Sequence, residues 1–215
     1  MRSKFILLTL YASAMGYLEA AVVVYLRHIY YPSGFTFPIV APIGSLARIE
    51  LAREAATILM ILAVSWLSGK RAWDRFAAFM YVFGLWDIAY YLGLRITLGW
   101  PESLATWDLL FLIPAPWIAP IWAPALIAVL LMASAMGIWH LARRGAEPRI
   151  GFRGWSVLIG AGLLVIWSFL LDADSARTGR MPRAFAWPLY SAGVVAALTV
   201  AARTYAVAAR STEDE

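Results

Sequence analysis

The sequence has no cysteine and only two histidines in 215 residues. The lack of cysteine excludes disulfides, thiolate metal sites, iron–sulfur clusters and cysteine nucleophiles. In the topology predicted below, His28 and His140 lie on opposite sides of the membrane, so they cannot both ligate one haem. Neither a Gly-x-Ser-x-Gly elbow nor a Gly-x-Gly-x-x-Gly loop occurs. The sequence therefore names no cofactor.

Charge is also scarce, since charged residues make up 14% of the chain and hydrophobic residues 62%. A soluble domain carries about 25% charged residues. This composition excludes a disordered chain, a nucleic-acid-binding tail and an ordinary soluble enzyme. We expect the lipid bilayer as the main partner and no nucleic acid.

The apolar segments predict an all-α, polytopic membrane helix bundle that forms one domain over 1–215. The first segment follows Arg2 and Lys4 and resembles a signal peptide, but its apolar run continues through Val24, so we expect a retained helix. The six predicted transmembrane helices are 5–27, 46–68, 76–98, 118–142, 154–171 and 185–208.

The stretch 103–142 is too long for one straight helix and contains four prolines, Pro114, Pro116, Pro120 and Pro124. Proline breaks the helical hydrogen-bond ladder, and lipid does not supply replacement partners. We therefore expect a short half-helix at 103–113, a bend, and then the fourth span.

The distribution of Lys and Arg predicts both termini in the cytoplasm of a bacterial inner membrane. With that orientation the cytoplasmic side holds eleven basic residues and the periplasmic side seven, of which Arg48 and Arg53 lie within a helix. Seven tryptophans near span ends are typical of an aromatic belt at the membrane interface: Trp73, Trp100, Trp107, Trp117, Trp139, Trp155 and Trp187.

Almost every unusual polar residue in or near the predicted spans falls in the outer half of the bilayer. A charge at mid-helix costs about 2.5–3.5 kcal/mol on the insertion scale, so each needs a partner or water. Glu50 and Glu54 share one helix stripe, and Asp87, Tyr91 and Arg95 follow each other at four-residue spacing. The predicted polar site comprises Glu19, Arg48, Glu50, Arg53, Glu54, Asp87, Tyr91, Arg95 and Asp108.

Four interpretations of this cluster are open. It is a structural ion-pair network, a site that binds a small molecule, lipid headgroup or partner subunit, a catalytic or metal site in which carboxylates line the periplasmic active site of a membrane enzyme, or a proton-coupled transport site. The binding interpretation extends to an accessory subunit of a larger complex or a homo-oligomer, with Trp86, Tyr90 and the proline-rich bend as walls. The candidate metal ligands are Glu19, Glu54, Asp87, Asp108 and His28.

Three sequence blocks carry a resemblance to known proteins. They are Phe83–Tyr91 (FGLWDIAYY), Gly99-Trp100-Pro101 and Trp107–Pro114 (WDLLFLIP). This pattern, over about 50–120, resembles a family of bacterial multi-pass inner-membrane proteins that has no assigned activity. The resemblance implies a bacterial inner membrane and says nothing about a substrate.

Overall fold

The computed structural model describes residues 2–30 and 45–210, and these are mostly helical. The elements, in chain order, are α1 (Arg2–Tyr30), α2 (Ser45–Leu67), α3 (Ala72–Leu98), β1 (Trp107–Phe111), β2 (Trp117–Pro120), α4 (Trp122–Arg143), α5 (Phe152–Leu170), α6 (Ala173–Thr178) and α7 (Trp187–Arg210). The sequence also predicts a proline-rich loop over 27–44, after the first span, and a polar tail at 211–215; residues 31–44 and 211–215 lie outside the described residues.

The predicted helical segments match α1, α2, α3, α4, α5 and α7, with ends that differ by at most four residues. Among the described residues, five helical segments are long and apolar enough to cross a membrane, which indicates a multi-pass membrane protein. They are Ser3–Ile29, Ala72–Leu98, Trp122–Arg143, Phe152–Thr178 and Trp187–Arg210. Helix α2 has the length, but four of its first ten residues are charged.

The predicted half-helix at 103–113 is wrong, because this stretch forms the first half of an antiparallel β-hairpin. Strand β1 pairs with β2, with Asp108 opposite Ala119 and Leu109 opposite Ile118. Pro114 and Pro116 lie in the connection, where proline needs no backbone N–H and stops a helix. Over residues 2–30 and 45–210 the fold is therefore mostly helical with one two-stranded sheet, rather than all-α.

Helices α1 and α3 run parallel, side by side. The hydroxyl groups of Thr9 and Tyr81 lie 2.9 Å apart near the start of both helices. Further along, Ala20 packs against Gly93, where an added Cβ would lie 2.7 Å from the Ala20 Cβ. Since these contacts advance in the same direction on both helices, the chain must lead from the end of α1 back to the level at which α1 begins before α3 starts. Helix α2 is part of this connection.

Helix α2 has polar residues inside and apolar residues outside. Its buried positions follow helical spacing and are Glu50, Glu54, Thr57, Ile61 and Ser65. Its exposed face carries large apolar side chains, among them Leu59, Leu62, Trp66 and Leu67, the last of which is 85% exposed. This is the reverse of a soluble amphipathic helix.

The second half of the bundle pairs α5 with α7, while α4 contacts both α3 and α7. The hairpin lies against this pair through Trp117, whose ring is 5.9 Å from Phe169 on α5. The predicted aromatic belt is corrected at two positions. Trp100 and Trp139 are buried, so they pack inside the protein rather than at its rim.

Strand β1 reaches far along α3 from the end of that helix. The Phe111 ring lies 6.1 Å from that of Trp86. Trp86 precedes the last residue of α3, Leu98, by twelve positions, which corresponds to about 18 Å of helix at 1.5 Å per residue. The hairpin thus carries its side chains deep between α2, α3 and α5.

Candidate functional site

Arg53 on α2 joins acids from two helices. Its Nε and Nη2 atoms donate to Oε2 of Glu50 at 2.9 and 2.7 Å. Its Nη1 atom forms an ion pair with Glu19 on α1. Thr57, one turn further along α2, also donates to Glu19, at 3.4 Å. Glu50 and Arg53, three positions apart on α2, therefore form a close ion pair, and the contact of Arg53 with Glu19 ties α2 to α1.

Glu54 on α2 holds the tip of the hairpin. The backbone N–H of Leu112, the residue after β1, donates to both carboxylate oxygens at 3.0 and 2.9 Å. Because Leu112 lies beyond the paired part of β1, its N–H needs a partner from outside the sheet. Glu54 provides this partner from a buried position.

Asp108 on β1 and Arg27 near the end of α1 form a buried pair, with Oδ1 and Nη2 3.7 Å apart. The Tyr91 hydroxyl donates to Asp108 Oδ2 at 3.3 Å, and the Arg27 guanidinium lies 3.7 Å above the Trp100 ring. Burial raises the pKa of Asp108 to about 6, against the opposing effects of Arg27, the Leu109 backbone and Tyr91. Cation–π contact and the ion pair together hold Arg27 in place.

Asp87 on α3 differs from the other acids of the site. Its Oδ2 atom is buried and has no hydrogen-bond partner among residues 2–30 and 45–210. The charge of Asp108 acts on it. Next along α3, the rings of Tyr90 and Tyr91 lie 5.0 Å apart and nearly perpendicular. Tyr90 is within electrostatic range of both Asp87 and Asp108, and also of Arg27 and Arg53.

The structure leaves three predicted residues outside this cluster. Arg95 donates to the carbonyl groups of Gly99 and Pro101, so it caps the end of its own helix. Arg48 is exposed on α2. His28 is exposed and its Nδ1 lies 2.9 Å from the Val24 carbonyl oxygen. The cluster does bring together Glu19, Glu50, Arg53, Glu54, Asp87, Tyr91 and Asp108, which come from α1, α2, α3 and β1.

Arg27 is the functional candidate that the sequence analysis missed. It is the last residue of the first predicted span, 5–27, whereas α1 continues to Tyr30. Its partner Asp108 lies 81 positions along the chain, so no local spacing connects the two residues. The one available signal was a lone arginine at the outer end of an apolar helix, which needs an anion nearby.

Five carboxylates and two guanidinium groups thus meet in one region, and acids outnumber bases. Across the described part of the chain, no three His, Asp or Glu side chains converge as metal ligands. Divalent cations such as Ca²⁺ take six to eight oxygen ligands. The geometry found here instead consists of acid–arginine pairs, an acid–backbone contact and one carboxylate oxygen with no hydrogen bond.

Comparison of the chain with protein-family models, curated proteins and solved structures finds no match. The resemblance to bacterial inner-membrane proteins therefore brings no activity and no residue role to the site.

Proposed function

We propose that this chain is a six-span bacterial inner-membrane protein that binds a small molecule or lipid headgroup at a polar site facing the periplasm. The observation that carries the proposal is the meeting of Arg27, Arg53 and five carboxylates from four separate elements. Ionisable groups within a membrane are functional candidates because each is costly to keep there.

The reversed polarity of α2 supports a sixth span. Its polar side chains face the protein, and its exposed face is apolar over residues 59–67. In water this face would cost free energy, whereas in lipid it is favourable. The parallel course of α1 and α3 agrees, because a crossing helix of 23 residues, about 34 Å, reconnects their opposite ends.

The hairpin supports an outward-facing, hydrated site. In the proposed orientation α3 ends at the periplasmic side, so the hairpin enters from that side and reaches roughly the middle of a bilayer core about 30 Å thick. Non-helical backbone at such depth is tolerated where it is covered by protein or lines a water-filled cavity. Asp108 and the Leu112 N–H would lie at that cavity.

A binding screen tests the proposal. The full chain in lipid nanodiscs is screened against amines, carboxylates, phosphates and sugars by thermal stability and native mass spectrometry. We expect at least one class to bind saturably to the wild type and more weakly to Asp108→Asn and Arg53→Gln. The matched control is Arg48→Gln, an exposed position on the same helix as Arg53. Equal binding by all four proteins, or none, would argue for a purely structural ion-pair network.

A further inference from the structure

The acids of the polar site differ in whether they have partners. Glu19 and Glu50 share Arg53, Glu54 accepts the Leu112 N–H, and Asp108 has Arg27 and Tyr91. Only Asp87 has a buried oxygen without a hydrogen-bond partner among these five acids, as far as the described residues extend. An unsatisfied buried acceptor costs about 1–3 kcal/mol, and more when it is charged. The Oδ2 atom of Asp87 is therefore the position in the cluster that lacks a hydrogen-bond donor.

The surroundings of Asp87 favour a positively charged group. The charge that acts on Asp87 is the negative charge of Asp108. The two arginines of this region are engaged elsewhere, since Arg27 lies over Trp100 and pairs with Asp108, and Arg53 pairs with Glu19 and Glu50. On the same helix, Tyr90 and Tyr91 add two aromatic rings, whose faces attract cations at energies of about 0.5–2 kcal/mol.

The kind of cation follows from the donor set. A divalent metal ion requires several oxygen ligands, and no such group forms within residues 2–30 and 45–210. An ammonium group has N–H donors that a single carboxylate oxygen and a phenol can accept. The remaining contacts of an ammonium group can be with the faces of aromatic rings. Asp87 and the two tyrosines fit this requirement.

We propose that Asp87 binds the ammonium group of a primary amine, with Asp108 adding negative charge and Tyr90 and Tyr91 contacting the cation. This inference rests on the proposed function and names the ligand class of that site. The same chemistry occurs in a free small amine and in the ethanolamine headgroup of a phospholipid. The experiment therefore has one arm for each source.

The first arm uses ethanolamine itself. The full chain is reconstituted in phosphatidylglycerol nanodiscs, which contain no amine headgroup, and ethanolamine binding is measured by titration calorimetry. We expect saturable binding that Asp87→Asn weakens at least tenfold. The matched control is Glu102→Gln, which removes one negative charge at an exposed position near the end of α3 and should leave the affinity unchanged. Binding that is equal in wild type and Asp87→Asn would overturn the proposal.

The second arm uses phosphatidylethanolamine in the nanodisc, with bound lipid detected by native mass spectrometry. Retention of this lipid by wild type and Glu102→Gln, but not by Asp87→Asn, supports the headgroup as the source. Binding of free ethanolamine without lipid retention supports a soluble amine. If neither probe binds, the proposal is wrong.

A third measurement uses the wild type alone, in case Asp87→Asn does not fold. Dicyclohexylcarbodiimide modifies carboxyl groups in apolar surroundings, and peptide mass spectrometry locates the modified residue. We expect Asp87 to be modified in the ligand-free protein and ethanolamine to protect it from modification. Lack of protection would overturn the proposal. If an anionic compound binds instead and depends on Arg53 or Asp108, the proposed function stands and the amine inference falls.

Discussion

The carboxylate of Glu54 accepts the backbone N–H of Leu112 through both of its oxygens, at 3.0 and 2.9 Å. A charged side chain from one helix thus holds the tip of a β-hairpin 58 positions away. This contact explains how a short two-stranded sheet is held among helices. A two-stranded hairpin alone is marginally stable, so it depends on contacts of this kind.

We predict that Glu54→Ala destabilises the protein by about 1–3 kcal/mol, because it leaves the Leu112 N–H without its acceptor. Glu54→Gln should cost less, since its amide oxygen still accepts one hydrogen bond. Unfolding of the full chain in detergent measures both values. The matched control is Glu102→Ala on the exposed loop, for which we expect a change within about 0.5 kcal/mol. Equal effects of Glu54→Ala and Glu102→Ala would contradict the role of Glu54.

Arg53 connects Glu19 and Glu50, and its side chain is 23% exposed. Removing one partner of a buried ion pair lowers the free energy of unfolding by about 3–5 kcal/mol. Because the Arg53 side chain is partly exposed, we expect Arg53→Gln to lower it by about 3 kcal/mol or less. The exposed Arg48, on the same helix, is the control: Arg48→Gln should leave the stability nearly unchanged.

A double-mutant cycle tests whether the cost comes from the ion pair itself. In the Arg53→Gln background, Glu19→Gln should cost less than it does in the wild type, because the acid no longer has its cation. Additive costs would mean that Arg53 acts through packing alone.

Close helix packing gives a prediction with a control in the same protein. A Cβ on Gly16 of α1 would lie 2.6 Å from the Trp86 carbonyl oxygen and 2.7 Å from the Ala89 Cβ. Gly16→Ala must therefore push α1 away from α3, at a cost of about 1–3 kcal/mol. At Gly160 on α5, no atom lies within 4 Å of the added Cβ, as far as the described residues extend. Gly160→Ala should be neutral or slightly stabilising, since alanine favours helix. A loss of stability at Gly160 equal to that at Gly16 would contradict the packing.

The sequence was sufficient for the helices and for most of the polar site. Long apolar runs set α1, α3, α4, α5 and α7, and i,i+3 and i,i+4 spacing brought Glu50, Arg53 and Glu54 to one face. Small residues let helices approach closely, and Gly16 and Ala20 of α1 lie where this helix packs against α3. These features are local, so the chain's own periodicity determines them.

The sequence was insufficient wherever the outcome depended on distant parts of the chain. Residues 107–111 are apolar enough for a helix, and their strand state comes from pairing with 117–120 and packing against Trp86 and Phe169. Arg95 lies at the correct spacing from Tyr91, but the nearby carbonyl groups of Gly99 and Pro101 take its hydrogen bonds. Local spacing does not show which of two acceptors a long side chain reaches.

The pKa of Asp108 predicts a pH dependence of stability. Burial raises this pKa from 3.8 to about 6, so the folded protein binds this proton more tightly than the unfolded chain does. The protonated Asp108 side chain therefore contributes to the free energy of unfolding below about pH 4, and this contribution is lost as the pH rises to about 6. Between pH 7 and pH 5 we expect the melting temperature of the wild type to rise relative to that of Asp108→Asn. A constant difference between the two proteins over this range would contradict the raised pKa.

The absence of cysteine makes the proposed topology directly testable, because one introduced cysteine is then the only thiol in the chain. Glu102→Cys and Met181→Cys lie at exposed positions on the proposed periplasmic side, and Lys70→Cys lies in the exposed turn between α2 and α3. In intact bacterial spheroplasts, a membrane-impermeant maleimide should label the first two variants. Lys70→Cys should react only after the membrane is disrupted. Lys70 directly precedes α3, whose start lies beside the start of α1, so its side of the membrane shows whether the chain has crossed back after α1. Labelling of Lys70→Cys together with Glu102→Cys in intact spheroplasts would contradict both the crossing by α2 and the parallel course of α1 and α3, and would remove the case for a polar site within the outer half of the bilayer.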